Sequence, residues 1–334
     1  MVADRPPQHR AVLAPEGAPL APEDRPEPGP IAVLPTAEPS FVAAVEAAGG
    51  TVEPLSDRTR GVVWLSNKDA AAFPPILEAH PGIGWVQLPF AGVDAFSGII
   101  ASEERSGLVW TSAKGAYAQP VAEHALVLTL ALMRVIPKRV RAKSWATAEE
   151  GRSLYGRHVV IVGAGGIALE LMVLLAPFGV RVTIVRRSSD PVEGAERTVP
   201  TDRLLDVLPD ADVVVVAAAL TGGTRHLFSD AEFAAMKSTA YLVNIARGGL
   251  VDTDALLRAL RTGAIAGAGI DVTDPEPLPD GHPLWDEEAC LITPHQADTS
   301  EMVAPLLAER IGANVRAFLG TGAFVGRVDP AAGY

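Results

Sequence analysis

Four stretches of this sequence carry residue types that could do chemistry, and each follows a short apolar run. The first is Gly163-Ala164-Gly165-Gly166-Ile167-Ala168, set between the run His158 to Val162 and an apolar segment with helical spacing. A second apolar run, Val180 to Val185, comes next. Glycine at 163 permits a tight turn and glycine at 165 lets backbone approach a pyrophosphate. Ala168 keeps helix and strand close. The N–H groups of Gly166 and Ile167, at the positive end of the helix dipole, would face the phosphates. G-x-G-x-x-A between two strands therefore predicts a βαβ dinucleotide site. The second run ends in Arg186-Arg187-Ser188, with no carboxylate before Asp190. A site for NAD places Asp or Glu there, on the ribose 2′-OH, whereas two guanidiniums and a hydroxyl suit a 2′-phosphate. NADP(H) is expected in preference to NAD(H).

The other three stretches are Val243-Asn244-Ile245-Ala246-Arg247-Gly248-Gly249, Gly269 to Pro277 (with Asp271 and Glu276) and Thr293-Pro294-His295-Gln296-Ala297-Asp298. Each follows a predicted strand of the sheet that carries the glycines, so all can face the nicotinamide end of one crevice.

The elements that position these loops alternate along the chain. Strands are expected at 31–34, 62–65 and 85–88, with helices at 39–48 and 70–80 between them. Pro89-Phe90-Ala91-Gly92-Val93-Asp94 is then a loop at a strand's carboxyl end, where successive N–H groups could hold a carboxylate; from the residues alone a plain turn is the favoured reading. The longest helix is expected from Gln119 to Arg141, apolar on more than one face, which suggests packing between domains or across a dimer. Residues 143–156 read as a connecting loop. Past Ser188, strands are expected from 212, at 240–243, 266–270 and 290–292, with helices at 229–236, 252–262 and 299–319. Residues 1–30 hold eight prolines and no periodicity, and are expected to be an extended or poorly ordered tail.

Length and composition bound the rest. A chain of 334 residues predicts two domains. The net charge of −12 (28 basic, 40 acidic residues) disfavours nucleic acid and anionic membrane as partners. The longest apolar stretch, Ala125 to Met133, is too short to span a bilayer. With no basic-then-apolar leader, a cytoplasmic protein is expected. The one cysteine, Cys290, reads as a core residue, and no metal cluster is apparent.

In combination, the Asn-x-Ala-Arg-Gly-Gly, Asp-Pro-Glu-Pro and Thr-Pro-His-x-Ala blocks behind the glycine fingerprint resemble the D-isomer-specific 2-hydroxyacid dehydrogenases. That family contains glyoxylate/hydroxypyruvate reductases, D-glycerate and D-lactate dehydrogenases, and phosphite and formate dehydrogenases. The resemblance runs over roughly residues 85–300. It implies two doubly wound α/β domains: a Rossmann nucleotide-binding domain (119–298) inserted in a flavodoxin-like substrate domain (31–118 plus 299–330), with the cleft between them.

The resemblance also implies roles. Arg247 would bind the substrate carboxylate and polarise its carbonyl. His295 would be the acid or base at the carbonyl oxygen, and Glu276 would orient its ring and raise its pKa. Asp271 would hold the nicotinamide carboxamide region. Leu220, Thr224 and Ala246 are counted with the cofactor-binding positions, and the Ala91, Gly92 and Val93 amides would take the substrate carboxylate. His124, His226 and His282 are read as structural. Ser112 and Lys114 stand where family members often have Asn and Pro, placing an extra cation near the expected crevice.

The implied reaction is hydride transfer between NADP(H) and C2 of a small 2-oxo or 2-hydroxy acid of the glyoxylate/hydroxypyruvate kind, in a homodimer. Two other readings stay open. One is an NADP(H)-sensing protein akin to the family's corepressors, with the Pro-rich tail as its partner-binding segment; the other is a phosphite dehydrogenase.

Overall fold

The computed structural model describes residues 19–103, 107–145 and 149–329. The chain divides into two compact units. One runs up to Tyr117 and resumes at Thr299; the other is Ala118–Asp298.

The first unit is built from β1 (Ile31–Leu34), α1 (Pro39–Ala47), β2 (Gly61–Trp64), α2 (Phe73–Ala79), β3 (Trp85–Gln87), α3 (Ser97–Ser102) and β4 (Val109–Thr111). Its four strands are parallel and lie in sequence order. A single parallel bridge from Val52 to Ile31 adds a vestigial strand outside β1. With that bridge counted, the order is the flavodoxin-like 2-1-3-4-5. Fully buried strands such as Gly61–Trp64 read as continuous apolar runs because helices cover both faces. Phe73 on α2 packs against Trp64 (ring centroids 4.9 Å) and Trp110 (5.8 Å).

Residues 19–30, expected to stand apart from the core, are docked on this unit. Arg25 Nη1 donates to the Gly320 carbonyl at 2.6 Å, Leu20 N–H to Gly322 O at 3.1 Å, and Pro26 is buried beside Gly84. A Pro-rich segment can dock through its carbonyls and ring faces without any periodicity to announce it. The rest of the expected tail, residues 1–18, lies outside the described residues.

The second unit opens with α4 (Ala118–Met133) and α5 (Ile136–Arg141), followed by β5 (His158–Val162), α6 (Gly166–Leu175), β6 (Arg181–Arg186), β7 (Arg197–Pro200) and β8 (Val213–Val216). It closes with α7 (Asp230–Ala235), β9 (Tyr241–Asn244), α8 (Thr253–Thr262), β10 (Gly267–Ile270) and β11 (Cys290–Ile292). The long helix expected over 119–141 is broken. Val135 has φ 55°, and Pro137 has no N–H to give the Met133 carbonyl, which takes the Arg152 N–H instead at 2.6 Å. Strand β7 was not expected at all, because only Val199 of its four residues is buried.

The seven strands are parallel in the order β11-β10-β9-β8-β5-β6-β7. The chain reverses direction across the sheet between β5 and β8, the topological switch point at which such sheets bind ligands. The chain then returns to the first unit with α9 (Ser300–Arg316), which packs on α1.

Candidate active site

The glycine fingerprint sits at that switch point. Gly163 follows β5 with φ 115°, and any Cβ there would overlap the Ala217 carbonyl that follows β8. Only glycine lets these two strand ends approach so closely. Gly165 is the N-cap of α6, extended and without a side-chain cap, and a Cβ on it would meet nothing within 4 Å. The first-turn N–H groups, including those of Gly166 and Ile167, have no intrahelical carbonyl to reach and suit an anion. Ala168 is fully buried. These features fit a dinucleotide pyrophosphate.

Beside them, Gly163 N–H donates to the Val185 carbonyl at 2.7 Å, which puts Arg186 and Arg187 at the adjoining strand end. Ser188 Oγ donates to Asp190 Oδ2 at 2.8 Å, so the two guanidiniums are the cationic donors of this loop. Farther along the same edge, Thr224 shapes a turn: its Oγ1 donates to the Ala219 carbonyl (2.8 Å) and accepts from Thr221 N–H (2.8 Å). Leu220 lies over Gly249.

Arg247, Asp271 and His295 follow the ends of three adjacent strands. Asn244 of β9, Ile270 of β10 and Ile292 of β11 are in register, so the residues just beyond them emerge together at the carboxyl edge. Arg247 is held by Asn244, whose side chain accepts from Ala246 N–H (3.1 Å) and donates to the Arg247 carbonyl (3.0 Å). Its guanidinium donates to Ala246 O at 2.8 Å. Gly248 is wedged against the Thr273 carbonyl with no room for a Cβ.

His295 Nδ1 lies 2.6 Å from Glu276 Oε1, which leaves Nε2 as the ring nitrogen able to exchange a proton with a substrate. Asp271 is buried, and its carboxylate accepts from the Thr293 hydroxyl (2.6 Å), Gln296 N–H (2.9 Å) and Ala297 N–H (3.1 Å). It thus ties down the His295 loop. Asp298 brings a further carboxyl to this corner. Burial raises its pKa, with the His295 ring opposing and Asp271 adding to the rise.

The loop with Ala91, Gly92 and Val93 belongs to the first unit. Tyr117 Oη donates to the Pro89 carbonyl at 2.9 Å and Ala113 N–H to the Phe90 carbonyl at 2.9 Å, tethering the loop after β3. Ser112 is buried, and its N–H donates to Gly326 O at 2.7 Å; it also accepts the Lys114 N–H on Oγ at 3.3 Å.

Sequence reasoning gave no role to Asn244, Thr293 or Tyr117. An Asn two residues before the amide it receives is a recognisable Asx turn; the other two act across contacts distant in sequence. Of the residues read as structural, His282 caps a short turn through Leu284 N–H. His226, at φ 49°, lies between Asp252 and Asp274. Cys290 is buried, its thiol pushed up to about 12 first by burial and then by Glu287. Among the described residues no cluster could hold a metal and no helix is long and apolar enough to cross a membrane.

A parallel sheet in this order, with this glycine turn at its switch point, defines a dinucleotide-binding α/β domain. The model of the D-isomer specific 2-hydroxyacid dehydrogenase NAD-binding domain matches residues 125–297. An uncharacterized protein from the proB 3′ region of Corynebacterium melassecola is 39% identical over 88% of this chain and 96% of its own length. The glyoxylate reductase of Korarchaeum cryptofilum is 32% identical over 73% of this chain and 75% of its own. The D-isomer specific 2-hydroxyacid dehydrogenase of Xanthobacter autotrophicus Py2, solved with NADPH and MES, is 27% identical, with a TM-score of 0.78 over 92% of this chain and 100% of that one. The chain belongs to the D-isomer-specific 2-hydroxyacid dehydrogenase family and is an NAD(P)-dependent oxidoreductase.

Proposed function

We propose that the protein reduces a small 2-oxo acid of the glyoxylate or hydroxypyruvate kind with NADPH. The observation that carries this reading is the 2.6 Å pairing of His295 and Glu276 at the sheet edge where the Arg247 loop also emerges. The nicotinamide, when bound, supplies a hydride to C2 of the oxo acid. His295 gives the Nε2 proton to the carbonyl oxygen, so the developing alkoxide is neutralised as it forms. Glu276 keeps the other ring nitrogen protonated and the ring oriented. Arg247 binds the carboxylate and polarises the carbonyl with its planar fork. On the first unit, the Ala91, Gly92 and Val93 amides are assigned to carboxylate binding. In oxidation the roles reverse and His295 takes the proton.

The cofactor residues divide by the part they touch. Gly163, Gly165, Gly166 and Ile167 take the pyrophosphate. Leu220, Thr224 and Ala246 border the cofactor groove, and Asp271 fixes its nicotinamide end through the His295 loop. Arg186, Arg187 and Ser188 are assigned to the 2′-phosphate, which makes NADPH the preferred cofactor; the neighbour solved with NADPH supports that choice. The exposed apolar side chains Val127, Ile136, Val140 and Trp145 on and after α4 and α5 support a homodimer. We place the protein in the cytoplasm.

The test is kcat/KM over a panel of 2-oxo acids and phosphite, with NADPH and NADH in parallel. The reading predicts turnover of glyoxylate or hydroxypyruvate with NADPH favoured, and loss of that preference in Arg186→Ala/Arg187→Ala. Preference for NADH would overturn the cofactor assignment. Oxidation of phosphite alone, or tight NADPH binding with no turnover, would overturn the substrate assignment.

A further inference from the structure

His295 has a left-handed backbone, φ 52°. That conformation is disfavoured for any residue with a Cβ, so its surroundings must hold it. They do so largely through Asp271. The His295 N–H donates to the Asp271 carbonyl at 2.7 Å, and the next two N–H groups, Gln296 and Ala297, donate to the two oxygens of its carboxylate. The carboxylate in turn must be aimed. Its Oδ1 accepts the Thr293 hydroxyl proton at 2.6 Å. A hydroxyl has one proton, and this one is spent on Asp271. The 2.9 Å contact between Thr293 Oγ1 and His124 Nε2 therefore has the imidazole as donor, with its proton on Nε2. Nε2 also lies 3.5 Å from Asp271 Oδ1. His124 stands on α4, which packs on β9 and β10, so the chain of bonds anchors the His295 loop to a helix fixed on the sheet.

We propose that His124 is a positioning residue: through the Thr293 hydroxyl it aims the Asp271 carboxylate, and so sets the backbone that presents His295. The inference rests on His295 being the acid of the proposed reaction. It assigns His124 a Nε2–H tautomer and makes Thr293 the main link, the direct 3.5 Å approach of Nε2 to Asp271 being the longer one. His124→Phe removes the donor while keeping the bulk, His124→Gln restores an N–H at a similar reach, and Thr293→Val removes the link.

The first readout needs no turnover. In full-length protein labelled with 15N and 13Cε1 histidine, with His295→Gln used to assign the His295 signal, the ring shifts should place the His124 proton on Nε2. The His295 signal should move in His124→Phe and Thr293→Val and return in His124→Gln. The second readout is kcat with NADPH and the oxo acid that is turned over. Each disruptive variant should lose about tenfold or more, and the double variant should fall within about threefold of the worse single, because both break one chain. A side chain that only packs would lower Tm in the Phe and Gln variants alike, with no rescue of kcat.

A His124 proton on Nδ1 alone, a His295 signal unmoved in both variants, or fully additive losses would each overturn the proposal. A His295→Ala variant as active as the wild type would instead overturn the acid role, and the spectra would still decide the place of His124.

Discussion

Replacing Glu276 by Gln removes the charge at Nδ1 of His295 and keeps the shape of the contact. The bond is short, 2.6 Å, and joins a carboxylate to an imidazole that must become positively charged to deliver its proton. A hydrogen bond to a charged group contributes about 1.5–3 kcal/mol. Both partners are well exposed, the His295 side chain at 52% and Glu276 at 41%, so solvent screens the pair and the low end applies. The second Glu276 oxygen reaches only Thr273 N–H at 3.4 Å and adds little. A loss of about 1.5–2 kcal/mol in the transition state corresponds to roughly 10–30-fold in kcat. The assay is initial-rate reduction at saturating NADPH, with Tm and NADPH affinity measured alongside. Glu276→Gln should lower kcat by that factor while leaving Tm and NADPH affinity near the wild-type values. Unchanged kcat, or a loss accounted for by weaker NADPH binding, would refute the orienting role.

Three further outcomes follow from the geometry. Gly163→Ala forces a Cβ into the Ala217 carbonyl at a positive φ, so denaturant unfolding should show a loss of about 2–4 kcal/mol together with weaker NADPH binding; an unchanged midpoint would contradict the close approach. Asp212 is partly buried, which raises its pKa, but the His158 N–H and Lys237 lower it further, so its folded-state pKa is depressed. Its stabilisation is present at neutral pH and is lost as pH falls through that depressed value, so Asp212→Asn should be less stable at pH 7 and the gap should close in acid, read from unfolding curves across pH. Cys290, with its thiol pushed up to about 12, should resist maleimide at pH 8 in the native protein and react once unfolded; prompt labelling of native protein would contradict its burial.

The repeating strand–helix pattern was legible because parallel strands buried on both faces read as unbroken apolar runs, as at Val159–Val162 and Val213–Val216. β7 escaped because an edge strand needs only one buried side chain. The break after Met133 is marked in the sequence by the end of the apolar stretch there and by Pro137 four residues on. At the site, the three loops could be placed at strand ends from the sequence alone. The bonds that shape them could not, because they join residues far apart in the chain: Thr293 to Asp271, His124 to Thr293, and Tyr117 to Pro89.

The most direct test of the proposed chemistry is kcat for NADPH-dependent reduction of glyoxylate and hydroxypyruvate by the wild type and by His295→Ala. Proton donation by His295 predicts turnover of at least one of these acids, reduced about 10²–10⁴-fold in the variant while NADPH still binds. Undiminished turnover in His295→Ala would contradict it.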